Sequence, residues 1–599
     1  MARKKTEDII FDYGFEPSEY QRKIFEFIKY GVGNCVIKAG AGAGKTLTAV
    51  TSMNLIPNKQ KCLFIAFNKS IVNELSKKLE HRKNATVRTL HSLGYLMLQR
   101  NCEREIEIDE YKYRSYVKQN ICDLTTILET EKLTPSRTNQ YIENIISLID
   151  LCRFNNAQSI KEIKRISEKY SVPALYDEYN VVKKVLKWGC KNITKIDYTD
   201  MLWLSNELSL NVKGLQYDWI FIDEAQDLSI AAVQLILKCF KRGTRFVAIG
   251  DKNQSINGFA GSSEEAFEFL CNYKHTQTFE LPITYRCDKK ITEFANKIVP
   301  SLQCRNNAQQ GKIKYSVKIN EIKDGDMILA RTKAPLIALY NKLLRRNINC
   351  YIKGQDIGLN LIKIIDCIPQ DDLNQDLKYD GVFVRLYDKL FNERNRLMEK
   401  YELDFNDSTL SSYIMNLYDS INTLQILSEN LKTKKELIEK IKKIFCDENN
   451  GICLSTIHKA KGLESNNVFL LCHSAMPFKL AKSEWEIEQE KNLMYVAYTR
   501  AKHCLGFISE SEIPPMGSLR ESNDIITDLK VIEYKVCQIL NKKITEQIEI
   551  CEVAKHNIKK ATIIKDIHEN DNVVVLNKNK KNVKNIIDEL DNCFNFKYK

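Results

Sequence analysis

The sequence is 599 residues long and has 19 cysteines, yet no two of them stand in C-x-x-C spacing. The usual mark of a zinc ribbon or an iron–sulfur cluster is therefore missing, and reduced, mostly buried thiols are expected. There is no unbroken apolar run of membrane-spanning length, and the opening MARKKTEDIIFDYGF has basic residues with no apolar h-region behind them. These absences point to a cytosolic or nucleoid-associated chain with no membrane partner. There is no convincing internal repeat. The low hydrophobicity of a disordered chain is absent too: hydrophobic residues make up 44% and charged residues 28%, so most of the chain should fold. At about 100–200 residues per domain, roughly three to six domains are expected. The 90 basic against 77 acidic residues leave a formal charge of +13, which favours a polyanionic partner but serves solubility equally well.

Three short apolar runs, Cys35 to Lys38, Trp219 to Ile222 and Phe246 to Ile249, are each followed at once by a Gly-rich or acidic turn. That rhythm predicts a parallel α/β sheet. The first α/β core is expected over 1–92 and 196–279, with a polar helical insertion at 93–195. A second α/β core is expected over 280–359 and 451–510, interrupted by a short helical insertion at 360–450. The latter contains the basic amphipathic stretch LKTKKELIEKIKKIF, which fits a solvated helix face better than a nucleic-acid contact. Pro514, Pro515 and Gly517 suggest a linker into a C-terminal extension of unassigned role, 511–599, that ends in a Lys/Asn-rich segment.

The strongest chemical signal is AGAGAGKT, comprising Ala39, Gly40, Ala41, Gly42, Ala43, Gly44, Lys45 and Thr46, between the strand NCVIK and the helical TLTAVTSM, where Leu47 follows Thr46. Closely spaced glycines let backbone N–H groups approach phosphate oxygens. Lys45 supplies charge to the β- and γ-phosphates of ATP, and the Thr46 hydroxyl can ligate Mg²⁺. YDWIFIDEAQD delivers paired carboxylates at the end of a buried strand, where α/β proteins place ligand chemistry. Asp223 would hold Mg²⁺ through water, and Glu224 would take the proton of the attacking water. Alone, DEAQD could merely cap a helix with acids. After the next strand, VAIGDKNQSINGFAG offers Gln254 as a γ-phosphate sensor and Phe259 as a base-stacking ring, although Phe259 alone would pass for a core residue.

The ordered set of motifs resembles the UvrD/Rep branch of superfamily 1 helicases, with details similar to the F-box-helicase-like subgroup, over about Gly14 to Phe507. FEPSEYQRKIFEFI is similar to the Q motif, which implies that Gln21 reads adenine. FIAFNKSIVNEL and TLHSLGYLML resemble motifs Ia and Ib, implying a DNA path along Phe67, Asn68 and His91. IDYTDML, Ile196 to Leu202, is similar to the acidic-aromatic element before motif II. LPITYRC resembles motif IV, implying Tyr285 on adenine and Arg286 at the γ-phosphate. LSTIHKAKGLESNNVFL resembles motif V, implying Thr456 and His458 near DNA and Glu464 near the ribose. EQEKNLMYVAYTRAK resembles motif VI, with Arg500 as the second arginine finger. One at a time, such arginines are usually surface charges and such a histidine structural; their fixed order carries the resemblance.

The resemblance departs from its pattern at motif III, where Asn257 stands for an aromatic and Ala260 for an arginine. One stacking platform worth about 1–3 kcal/mol is thereby lost. No fused-nuclease cluster is apparent. The implied architecture is α/β: two RecA-like P-loop cores with helical insertions and a C-terminal extension. The implied function is an ATP- and Mg²⁺-dependent DNA helicase or translocase that moves 3′ to 5′ on single-stranded DNA and meets single-strand/duplex junctions. The alternative is a DNA-sensing ATPase switch that regulates a partner nuclease or repair protein.

Overall fold

The computed structural model describes residues 13–512 except 128–134, 175–176, 257, 259–263, 345, 347, 367–385, most positions of 388–432, 447–450 and 478–483. Phe259, Asn257, Ala260, the Pro514–Pro515 linker and nearly all of the C-terminal extension lie outside the described residues.

Two parallel sheets organise the chain. The first contains β1 (Asn34–Ala39), β2 (Cys62–Ala66), β3 (Ala85–Thr89), β4 (Tyr217–Ile222), β5 (Phe240–Gly250) and β6 (Thr276–Leu281), in the order β3-β2-β4-β5-β1-β6. Every neighbouring pair is parallel. Helices cover both faces of such a sheet, so its strands are near-continuous apolar runs: all five residues of β2 are buried, as are five of the six in β1. All three strands expected from the sequence are present. The third begins six residues earlier than expected, at Phe240, which pairs with Tyr217 across a register shift; the polar KRGT that follows Phe240 hides this extension in the sequence.

The second sheet contains β7 (Lys312–Val317), β8 (Met327–Ala330), β9 (Cys350–Lys353), β10 (Phe445–Cys446), β11 (Ile452–Thr456), β12 (Ser465–Leu470) and β13 (Ala501–Ile508). Its order is β7-β13-β12-β8-β11-β9-β10, again parallel throughout. The first sheet carries an apolar cluster on each face, the cluster on the second sheet also takes in Ala41 and Ile256 of the first core, and the two sheets are the two α/β RecA-like cores.

Between β3 and β4 the chain builds helices Lys112–Leu124, Pro135–Asn155, Ile160–Lys169 and Glu178–Lys191 around a separate core that includes Trp203. An ion network joins this bundle to the helix Tyr198–Glu207. Asp200 accepts from Lys112 at 2.6 Å, from Tyr113 at 2.6 Å and from Arg153 at 2.9 Å, and Arg153 also reaches Asp197 at 2.7 Å. Of the second insertion, helices Gln355–Asp366 and Lys434–Ile444 are described; they contact each other, and the latter buries Leu437, Ile441 and Ile444 while exposing Lys435, Lys442 and Lys443.

Candidate nucleotide cleft and nucleic-acid face

The glycine-rich turn after β1 leads straight into the helix Lys45–Asn54. Its N-cap, Gly44, is left-handed at φ 76°, which glycine adopts without the steric cost of a Cβ. The first N–H groups of that helix have no intrahelical acceptor and are free to face an anion. Gln21 lies beside it: it closes the capping box of the helix Glu19–Tyr30 with Ser18 and donates to Thr48 Oγ1 at 3.0 Å.

Lys45 Nζ donates to Glu224 Oε2 at 2.9 Å. Glu224 is held left-handed at φ 51°, a conformation costing a non-glycine residue about 1–2 kcal/mol, at the point where β4 turns into the 3-10 turn Ala225–Asp227. Burial opposes ionisation of Glu224, but Lys45, Lys461 and the Gln226 amide together hold its carboxyl below the usual range. Burial first, and the Glu224 carboxylate second, push Asp223 the other way. The Lys45 ammonium sits on Glu224, which is why the two adjacent acids shift in opposite directions. The Asp223 carboxylate, the Thr46 hydroxyl one residue into the helix and the backbone donors of the turn are a donor set that fits Mg²⁺ and a polyphosphate.

Gln254 is buried and donates to Asp251 Oδ2 at 2.7 Å. Asp251 N donates in turn to Gln226 Oε1 at 2.9 Å, and Gln226 Nε2 donates to Glu224 Oε2 at 2.5 Å. A single chain of hydrogen bonds thus runs from Lys45 to Gln254.

The second core closes the other side. Tyr285 N donates to Gly42 O at 2.9 Å, and a Cβ on Gly42 would stand 2.5 Å from the Arg286 Cβ, so only glycine fits this approach. Arg286 pairs with Glu464 at 2.7 Å and donates to the Thr499 carbonyl at 3.1 Å; Glu464 also pairs with Lys502. The Tyr285 ring is 40% exposed. Arg500 is fully buried and donates to the carbonyls of Val496 at 2.9 Å and Leu463 at 3.2 Å. Burial, then the neighbouring Arg286, push its pKa down to about 9. Ala39, Gly40, Ala41, Gly42, Ala43, Gly44, Lys45, Thr46, Gln21, Glu224, Asp223, Gln254, Arg286 and Tyr285 therefore gather on this cleft. Arg500 shares Thr499 with Arg286 and otherwise donates to carbonyls of its own core.

The expected nucleic-acid residues lie elsewhere. Phe67, 51% exposed, follows β2, and Asn68 caps the next helix by accepting from Ile71 N at 2.9 Å. His91 is exposed one residue into the helix after β3, edge-on to the exposed ring of Tyr198 at 6.1 Å. This contact depends on Gly94, because a Cβ there would meet the Met201 carbonyl at 1.9 Å. Thr456 is buried at the end of β11, and His458 is half-buried beyond it. Burial, then Arg331, lower the His458 pKa to about 3.

Several residues of the site were not singled out from the sequence: Gln226, Asp227, Asp251, Lys461, Asn492, Tyr495 and Tyr198. Asp227 and Gln226 were visible in DEAQD as polar neighbours of the base. Tyr495 gave no local signal; its hydroxyl accepts from Ala41 N at 3.1 Å, 454 residues away in the chain.

Fold and cleft together are those of a two-core P-loop α/β protein. Family models match the chain twice, as the UvrD/REP helicase N-terminal domain over residues 19–273 and as the UvrD-like helicase C-terminal domain over residues 361–512. The chain belongs to the UvrD/Rep-type superfamily 1 helicase family. It is 25% identical to F-box DNA helicase 1 of Gallus gallus, covering 78% of this chain and 46% of that protein. It is 24% identical to F-box DNA helicase protein 1 of Schizosaccharomyces pombe, covering 85% and 58%. With the ATP-dependent DNA helicase PcrA of Bacillus subtilis it shares 22% identity over 80% and 81%. The chain thus spans about half the length of the two F-box helicases it matches. Among the described residues no helix is long and apolar enough to cross a membrane.

Proposed function

We propose that the chain is an ATP-dependent DNA helicase or translocase that moves 3′ to 5′ along single-stranded DNA. The observation that carries this reading is the placement of Arg286 and Tyr285, from the second core, directly against Gly42 of the P-loop in the first. A nucleotide held by Lys45 and the turn backbone would bridge the cores, and its loss would release them, so turnover becomes relative motion. Mg²⁺, when bound at Thr46 and Asp223, would neutralise phosphate charge. Glu224 would accept the proton of the attacking water, and Arg286 would stabilise charge on the transferred phosphoryl group. The exposed rings of Phe67, His91 and Tyr198 on the first core support a base-stacking path, which tolerates any sequence.

Displacement of streptavidin from end-biotinylated single strands, measured alongside DNA-stimulated ATPase, tests this. Displacement from the 5′ end alone is expected for 3′-to-5′ motion. Stimulated turnover without displacement from either end would reassign the chain as a DNA-sensing switch.

A further inference from the structure

The turn after β5 carries Gln254, and the turn after β4 carries Glu224 and Asp227. Both are held by side chains of the second core. Lys461 Nζ donates to Asp227 Oδ1 at 2.8 Å, to Asp227 Oδ2 at 2.6 Å and to the Gln254 carbonyl at 2.7 Å. Asn492 Nδ2 donates to the carbonyls of Ser255 at 3.0 Å and Lys252 at 3.4 Å. The Lys461 side chain is 13% exposed and that of Asp227 2%, so each charge is tolerated there because the other is present.

One ammonium group therefore touches the turn that carries the candidate base and the turn that carries the candidate phosphate sensor, and it comes from the opposite core. Gln254 cannot shift its backbone, nor Asp227 its carboxylate, without breaking a charge-assisted hydrogen bond to Lys461. When the cores separate, both acceptors lose their donor together. Separation of the cores would therefore break the contact as a unit, as coupling between sites requires.

We propose that Lys461 is a positioning residue that licenses hydrolysis only when the second core is docked, by seating the Glu224 and Gln254 turns; this rests on the ATP-driven reading above. Its partners are Asp227 and the Gln254 carbonyl rather than the P-loop, so it should act on turnover and not on nucleotide capture.

The test is steady-state ATPase of the full chain with saturating single-stranded DNA. Lys461→Met should lower kcat about tenfold or more while KM for ATP stays within about threefold, and Lys461→Arg should recover part of the loss. Asp227→Asn, nearly isosteric and on the other core, should show the same split even if Lys461→Met folds poorly. The double variant should be no worse than the worse single, because Lys461→Met already removes the contact that Asp227→Asn weakens. A Lys461→Met kcat within about twofold of wild type, or single losses that multiply in the double variant, would overturn the latch and leave the helicase reading intact. A wild-type chain with no DNA-stimulated ATPase would overturn both.

Discussion

Lys45 Nζ donates to Glu224 Oε2 at 2.9 Å, so the cation expected to face phosphate and the carboxylate expected to take water's proton are each other's ion-pair partner. Replacing Lys45 with Ala should abolish ATP turnover, because the backbone cradle alone cannot neutralise the phosphates. It also leaves a half-buried carboxylate without its nearest cation. Thermal melting should therefore fall further for Lys45→Ala than for the Lys45→Ala/Glu224→Gln double variant; the reverse order would mean the pair contributes nothing to stability.

Glu224→Gln and Arg500→Ala should both be inactive yet differ in state. The amide keeps the shape of the base while removing its basicity, so ATP should still hold the cores together and change single-strand affinity. Arg500→Ala removes a buried charge that shares Thr499 with Arg286, and the nucleotide dependence should weaken or vanish. Fluorescence anisotropy of a labelled single strand, with and without ATP, reads both. Equal nucleotide dependence in the two variants would contradict separate roles.

Phe67→Ala should weaken single-strand binding roughly 5- to 150-fold, the equivalent of the 1–3 kcal/mol expected for one stacked base. Because the ring is 51% exposed, the melting temperature and basal ATPase should hold. Phe259→Ala should likewise reduce DNA stimulation with basal turnover largely intact. Equal loss of basal and stimulated rates would make Phe259 a packing residue.

Asp200 serves three cationic or hydroxyl donors in a fully buried setting. Asp200→Ala leaves Lys112 and Arg153 short of their counter-charge and should cost about 3–5 kcal/mol. Urea unfolding would show this as a lower midpoint at unchanged slope; a shift under about 1 kcal/mol would mean that Asp150, 2.6 Å from Arg153, and Asp197 suffice.

His458 has its pKa lowered to about 3 by burial and then by Arg331, so the folded chain refuses a proton that the unfolded chain accepts below about 6.5. Between those values the unfolded state binds more protons, and stability must rise with pH through that window and fall on acidification. His458→Gln should lose less melting temperature than wild type between pH 7 and pH 5. An identical drop would exclude His458 as a contributor.

The strands and the candidate phosphate turn of the first core were legible in the sequence because they are local. A strand buried on both faces has to be a continuous apolar run, and the candidate turn is glycines followed by Lys45 and Thr46. The order of the motifs then implied the second core. Tertiary structure alone decided how those residues are engaged: Arg500 turned into its own core, Glu464 shared by Arg286 and Lys502, and Lys461 gripping a carboxylate 234 residues away and the carbonyl of Gln254. The reason is physical. Side-chain type is a property of one position, but the partner of a buried charge is whichever acceptor the docking of two sheets brings within hydrogen-bond reach, and a backbone carbonyl such as that of Gln254 or Ser255 is the same chemical group at every residue.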